Sequence, residues 1–204
     1  VTICNFYLEE AGEYNATMTA EVRFLRALYY YHLMDCFGNI PFLTVVSSEP
    51  APQATRQEVY NFIESELLEI EGTMSAPMTG TYGRADQAAA WMLLARLYLN
   101  AEVYTGTAQW AKAAEYAQKI MNSAYKLHTQ GSHDAVNNKD WSAYQMLFMG
   151  DNGENGAQCE AILPLLQDGI TTTSWGTSLF LMASTFKDDM TIVGSATNNV
   201  AGQA

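Results

Sequence analysis

Gln87-Ala88-Ala89-Ala90-Trp91-Met92-Leu93-Leu94-Ala95-Arg96-Leu97-Tyr98-Leu99 carries the strongest structural signal in the chain. Ala88, Trp91, Leu94, Ala95 and Tyr98 recur at steps of three and four, the spacing of one helix face. That pattern predicts a helix from about Arg84 to Val103. A second helix is expected from about Thr107 to Asn122, with Trp110, Ala113, Ala114, Ala117, Ile120 and Met121 on its apolar side. Small side chains at 113, 114 and 117 are expected to let the two helices approach closely. The bulk of Trp91 and Tyr98 would fill the space between them, as close-packed interiors require.

The order Trp91-x-x-Leu94-Ala95-x-x-Tyr98 resembles the first-helix signature of a tetratricopeptide repeat, with Ala in the usual Gly place. An ordinary helical hairpin is the plainer alternative. Upstream, Thr17 to Phe37 places Val22, Leu25, Leu28, Tyr29, Leu33, Cys36 and Phe37 at helical spacing. This predicts a helix packed on more than one side. Gly38 and Pro41 stop it, one by accepting positive φ and the other by lacking an N–H. Pro50 and Pro52 mark an extended connector. Thr55-Arg56-Gln57-Glu58 reads as a capping box opening a helix whose buried stripe is Tyr60, Ile63, Leu67 and Ile70. Residues 75–83 form a turn-rich link. Val1 to Leu8 reads like the middle of an amphipathic helix, which suggests a fragment with any targeting signal outside it.

After Tyr125 the character changes. Gly131 to Asp151 is polar and irregular, with a short helix expected around Trp141 to Phe148. Ala161 to Leu166 is an apolar run consistent with a strand or buried extended segment. Thr171 to Ser174 and Gly176 to Thr177 form a loop around Trp175. The expected fold is therefore mainly α. A tetratricopeptide-like scaffold of helical pairs would occupy 1–125, and a loop-rich, ligand-facing segment with short strands, itself incomplete, would occupy 126–204.

The 204 residues carry 10 Lys and Arg against 22 Asp and Glu, a net charge of -12. That balance excludes non-specific nucleic-acid binding and a polybasic hold on anionic lipid, both of which need clustered cations. No run of about 18 apolar residues is long enough to span a bilayer as a helix. Cys4, Cys36 and Cys159 are widely spaced and are expected to be buried free thiols.

Read together, four ordered blocks resemble the SusD/RagB-like proteins. Ala20-Glu21-Val22-Arg23-Phe24-Leu25-Arg26-Ala27-Leu28-Tyr29-Tyr30, followed by Phe37-Gly38-Asn39-Ile40-Pro41-Phe42, is the first. Thr55-Arg56-x-Glu58-Val59-Tyr60-x-Phe62-Ile63 is the second. Gly83-Arg84-Ala85 through Leu93-Leu94-Ala95-Arg96-Leu97-Tyr98-Leu99 and Trp110-x-Lys112-Ala113-Ala114-Glu115-Tyr116-Ala117 complete the set. The match weakens beyond Tyr125. The resemblance implies a surface-exposed outer-membrane lipoprotein that captures glycans, without catalysis, for a partner SusC-like TonB-dependent transporter. It implies full-length proteins more than twice this length, with a lipid anchor outside this chain. Cys4 is not the lipid-bearing Cys, since it sits within an expected helix.

Sugar capture needs an aromatic face for the C–H side of a pyranose and a few polar groups for its hydroxyls. Trp175, set among Thr, Ser and Gly, is the leading platform candidate; the alternative is that it plugs the core. Tyr144 and Trp141 are further candidates in the preceding polar segment. Asp168 is a candidate acceptor of sugar hydroxyls, with a turn role for Asp168-Gly169 as the competing explanation. Trp91 and Trp110 fall on helical stripes and are expected to be structural. His128, His133 and Asp134 lack the spacing of a helical metal-ligand pair. Asp151 to Gly156 fails the calcium-loop pattern at Gly153 and at Ile162. No phosphate-binding, dinucleotide-binding or nucleophile-elbow motif occurs, and no cofactor is expected. The acidic charge suits neutral sugars better than acidic ones, so a neutral glucan such as starch is the expected ligand. A tetratricopeptide-like protein-interaction scaffold without a sugar site is the competing reading.

Overall fold

The computed structural model describes residues 1–166. Its first helix, α1 (Thr2–Ala11), leads into α2 (Ala16–Phe37), which Asn15 opens by accepting a hydrogen bond from the Met18 amide at 3.0 Å. Gly38 closes α2 at φ 75°, and its N–H donates to the Met34 carbonyl. A side chain at that φ would be strained. The chain then forms β1 (Ile40–Pro41), antiparallel to β2 (Gln53–Ala54), with Ile40 opposite Ala54. These two short strands replace the purely extended connector expected around the prolines.

Helix α3 (Arg56–Ile70) opens on the expected capping box: Thr55 Oγ1 accepts from the Glu58 amide, and Glu58 returns a carboxylate oxygen to the Thr55 amide at 2.8 Å. Helix α4 (Gln87–Leu99) begins three residues later than expected, because Asp86 caps it by accepting from the amides of Ala88 and Ala89. A short α5 (Ala101–Thr105) and α6 (Trp110–Met121) follow. Beyond them lie β3 (Ser132–Asp134), β4 (Lys139–Trp141), α7 (Ala143–Met146) and a 3-10 turn at Ala157–Cys159. No strand forms over 161–166; Ile162 and Leu163 instead lie partly buried against the helical core.

Helical pairing organises the core. Helix α1 packs on α2, α2 on α3, and α4 on α6. Tyr60, Ile63, Leu67 and Ile70 are all buried, as their spacing predicts. On α2 the buried face is rotated from the expected one. Ala20, Phe24, Ala27, Tyr31 and Met34 point inward, whereas Tyr29, Cys36 and Phe37 are exposed. Leu25, Leu28 and Leu33 lie half-buried beside that face, so the helix does pack on more than one side. In the second pair the buried small residues lie mostly on α4. Ala88, Ala89 and Ala90 are buried with Ala113, while Ala114 and Ala117 face solvent. Tyr98 and Tyr116 fill the interface, their rings 5.6 Å apart. Trp110, expected to be structural, is 60% exposed at the start of α6, and Trp91 is half-buried, donating from Nε1 to Glu71.

A polar knot ties α1, α2, α3 and the connector together. Asn5, 2% exposed, donates to the Leu43 and Val45 carbonyls and accepts from Arg26. Arg26 reaches Glu66 at 2.7 Å, and Arg23 bridges Glu66 and Glu69. Burial pushes the Glu66 carboxyl up, but the hydrogen bonds and charges of Arg23 and Arg26 outweigh it and hold the group below its ordinary value. All three cysteines are free; Cys4 is buried as expected, but Cys36 is exposed and Cys159 half-buried. No helix among the described residues is long and apolar enough to cross a membrane. Residues Val1–Pro164 form one compact unit, and a second begins at Leu165.

Candidate functional site

Two of the four sequence-predicted site residues, Trp141 and Tyr144, lie on one hairpin-and-helix unit. Trp175 and Asp168 lie outside the described residues. The unit starts with β3 paired antiparallel to β4, Ser132 opposite Trp141, His133 opposite Asp140 and Asp134 opposite Lys139. Asp134 builds the turn between them: its carboxylate accepts from the amides of Val136 and Asn137 and from the Asn137 side chain at 2.7 Å. Those contacts, led by the Asn137 side chain, hold the Asp134 carboxyl below its usual range. His133 Nδ1 lies 2.7 Å from Asp140 across the strands. Residues of a strand alternate between faces, so Lys139 and Trp141 share the face opposite to Asp140. Lys139 folds over the indole, its ammonium 3.7 Å from the ring centroid.

Ser142 then caps α7 reciprocally with Gln145: the Ser142 hydroxyl accepts from the Gln145 amide, and Gln145 Oε1 accepts from the Ser142 amide at 2.9 Å. This two-way cap supports a helix of one turn that its length alone would not sustain. Met146 points inward and is buried, while Tyr144 points outward and is 71% exposed. The carbonyls that end the turn are held by side-chain amides, Asn155 donating to Met146 and Asn152 to Leu147. Phe148 is equally exposed, with its ring centroid 5.1 Å from that of Tyr144 and an interplanar angle of 65°. An edge-to-face pair of this kind braces the Tyr144 ring while leaving aromatic surface open. A pyranose can lay its C–H side on that surface. A groove of about 630 Å³ shares Ser132 and Met146 with the unit and is also lined by His128, Thr129 and Gln130. Its polar side chains suit sugar hydroxyls.

A second cleft, of about 490 Å³, lies at the start of α4, lined by Glu21, Tyr82, Arg84, Asp86, Tyr125 and Gln158 among others. Its charges are engaged within the fold. Arg84 pairs with Glu21. Asp86 accepts from the amides of Met78, Ala88 and Ala89 and from the Tyr125 hydroxyl at 2.9 Å. Burial, together with the Asp86 carboxylate, pushes the Tyr125 hydroxyl up, so it stays a donor. That cleft is therefore a capping site for α4, and the exposed aromatic unit is the better candidate for a ligand. Among the described residues no three His, Cys, Asp or Glu side chains converge as a metal site would require. Asp151 is engaged by the Asn155 side chain within its own turn.

Phe148 and Lys139 were not among the residues singled out from sequence. The four-residue step from Tyr144 to Phe148 is the spacing at which helical side chains meet, and the two-residue step from Lys139 to Trp141 is that of one strand face. Both signals become readable only once the hairpin and the one-turn helix are known.

Comparison with known proteins places these features in context. A SusD-like sequence profile described as "Starch-binding associating with outer membrane" matches residues 5–99. The starch-binding protein SusD of Bacteroides thetaiotaomicron is 44% identical over 190 residues, which cover 91% of this chain and 32% of that relative. The chain thus spans about a third of the length of that curated relative. A SusD-like protein from Bacteroides fragilis superposes with a TM-score of 0.61 at 23% identity, over 80% of this chain and 31% of that one. A SusD superfamily protein from Parabacteroides distasonis gives a TM-score of 0.54 at 31% identity, over 62% and 30% of the two chains.

Proposed function

Because this chain belongs to the SusD-like family, we propose that it is part of a non-catalytic, cell-surface glycan-binding protein of the outer membrane. Its ligand is a neutral glucan of the starch type, delivered to a SusC-like TonB-dependent transporter. The observation that carries this reading is the 44% identity to a starch-binding protein across 91% of the chain. In this reading residues 126–204 face the glycan. Tyr144, braced by Phe148, and Trp141 supply stacking surface, with Trp175 and Asp168 as further ligand contacts. Residues 1–125 form the helical scaffold turned toward the transporter, and a lipid anchor outside this chain holds the protein at the membrane.

Affinity electrophoresis of the chain in gels containing amylopectin, dextran or no polysaccharide tests the proposal. Retardation in amylopectin alone is the expected result. Unretarded migration in every gel, together with co-purification of the transporter, favours the interaction-scaffold reading instead. One observation supports that second reading: Leu99, Val103, Trp110 and Met121 are each at least 60% exposed on the helical scaffold, an apolar display suited to a protein partner.

A further inference from the structure

Lys139 lies over one face of the half-buried Trp141. Its ammonium sits 3.7 Å from the indole centroid. The residue opposite Trp141 is Ser132, too small to shield an indole, and the next residue on the same side of β4 is Lys139 itself. The one carboxylate opposite Lys139, that of Asp134, is already engaged in the turn by Val136 and Asn137. Among the described residues Lys139 has no carboxylate within ion-pairing distance. Its charge is therefore satisfied by water and by the negative face of the ring.

We propose that Lys139 is an internal cap on the Trp141 subsite, a specificity-determining residue that a neutral pyranose must displace before it can stack. This rests on the glycan-binding reading above and goes beyond it. A neutral sugar offers C–H groups to the ring and nothing to the ammonium. Its gain on Trp141 is therefore reduced by the lost cation–π contact, which corresponds at exposed sites to about two- to fivefold in affinity. Arginine at this position keeps a cation over the ring, whereas methionine keeps the length and loses the charge.

The test is calorimetric titration of maltoheptaose into the full chain and its Lys139→Met, Lys139→Arg and Lys139→Met/Trp141→Ala variants. Acrylamide quenching of tryptophan fluorescence is measured alongside. The cap predicts that Lys139→Met binds about two- to fivefold more tightly than the wild type. Lys139→Arg stays at the wild-type value, and removing Trp141 abolishes the gain. Quenching of the Trp141 contribution rises in Lys139→Met without any sugar present. Measurable wild-type binding with no gain in Lys139→Met overturns the cap and leaves the glycan-binding reading standing. Absence of maltoheptaose binding in all four proteins overturns that reading, and the cap with it.

Discussion

Tyr144 shows how a single residue can be both well anchored and available. Its neighbour Met146 is buried, the carbonyls around it are tied by Asn152 and Asn155, and its ring is braced by Phe148. The ring itself remains 71% exposed. Replacing Tyr144 by Ala should therefore cost ligand affinity and not stability. The expected loss is about 1 kcal/mol of maltoheptaose binding, a factor of about five, measurable by calorimetry. The thermal midpoint should stay within about a degree or two, since surface substitutions change stability by under about 0.5 kcal/mol. Tyr144 was legible as a binding candidate because the stretch leading into it, residues 131–142, is polar. Trp110 was misread for the opposite reason. Helical spacing assigns it to a core stripe, but it is the first residue of α6 and is 60% exposed. Lys139 was illegible, because no periodicity says where a flexible aliphatic stem will fold.

Elements are held together by two kinds of contact, and each makes a prediction. The Arg23–Glu66–Arg26 knot joins α2 to α3, with both Arg26 and Glu66 side chains 9% exposed. Glu66→Gln leaves Arg26 buried without its counter-charge and should destabilise the fold by about 3–5 kcal/mol in urea denaturation. The sign of the pH dependence follows from the lowered Glu66 value. The contribution of this group is complete above its unfolded value of about 4.3 and is lost as pH falls through its lower folded value. The wild type should thus lose stability on acidification in a range where Glu66→Gln loses less. In the second pair α4 packs on α6, and Ala88, Ala89, Ala90 and Ala113 are all buried. Ala90→Leu, at a position with 0% exposure, should cost about 1–3 kcal/mol through overpacking, read from the same denaturation curve. Helix α3 was legible from its capping box and apolar steps; α4 was legible as a helix, but its cap at Asp86 and the break into α5 after Leu99 were not. Nor was the stripe on α2. That helix buries Glu21 and Arg26 along with its apolar residues, and a pattern read from hydrophobicity alone skips such positions. Short strands are expected beyond residue 125, but the places of both strand pairs were not legible, because each strand is only two or three residues long, too short for alternation to register.

For the molecule as a whole, a stack of helical pairs presents a small aromatic unit built from residues 132–148. The scaffold was readable from sequence because its blocks run in order through about residues 20–125, and the family profile matches an overlapping stretch, residues 5–99. The described part beyond residue 125 was readable only as individual aromatic residues, since its geometry depends on side-chain caps and turns with weak sequence signatures. The net charge of -12 over the whole chain disfavours polyanionic ligands. Glycan binding as proposed for this chain requires contact between pyranose C–H groups and exposed aromatic rings. Saturation-transfer NMR, with the aromatic protons of the chain irradiated in the presence of maltoheptaose, reports that contact. We predict transfer to the ring C–H protons of the sugar, reduced in Tyr144→Ala; no transfer to the sugar from the wild-type protein would contradict the account.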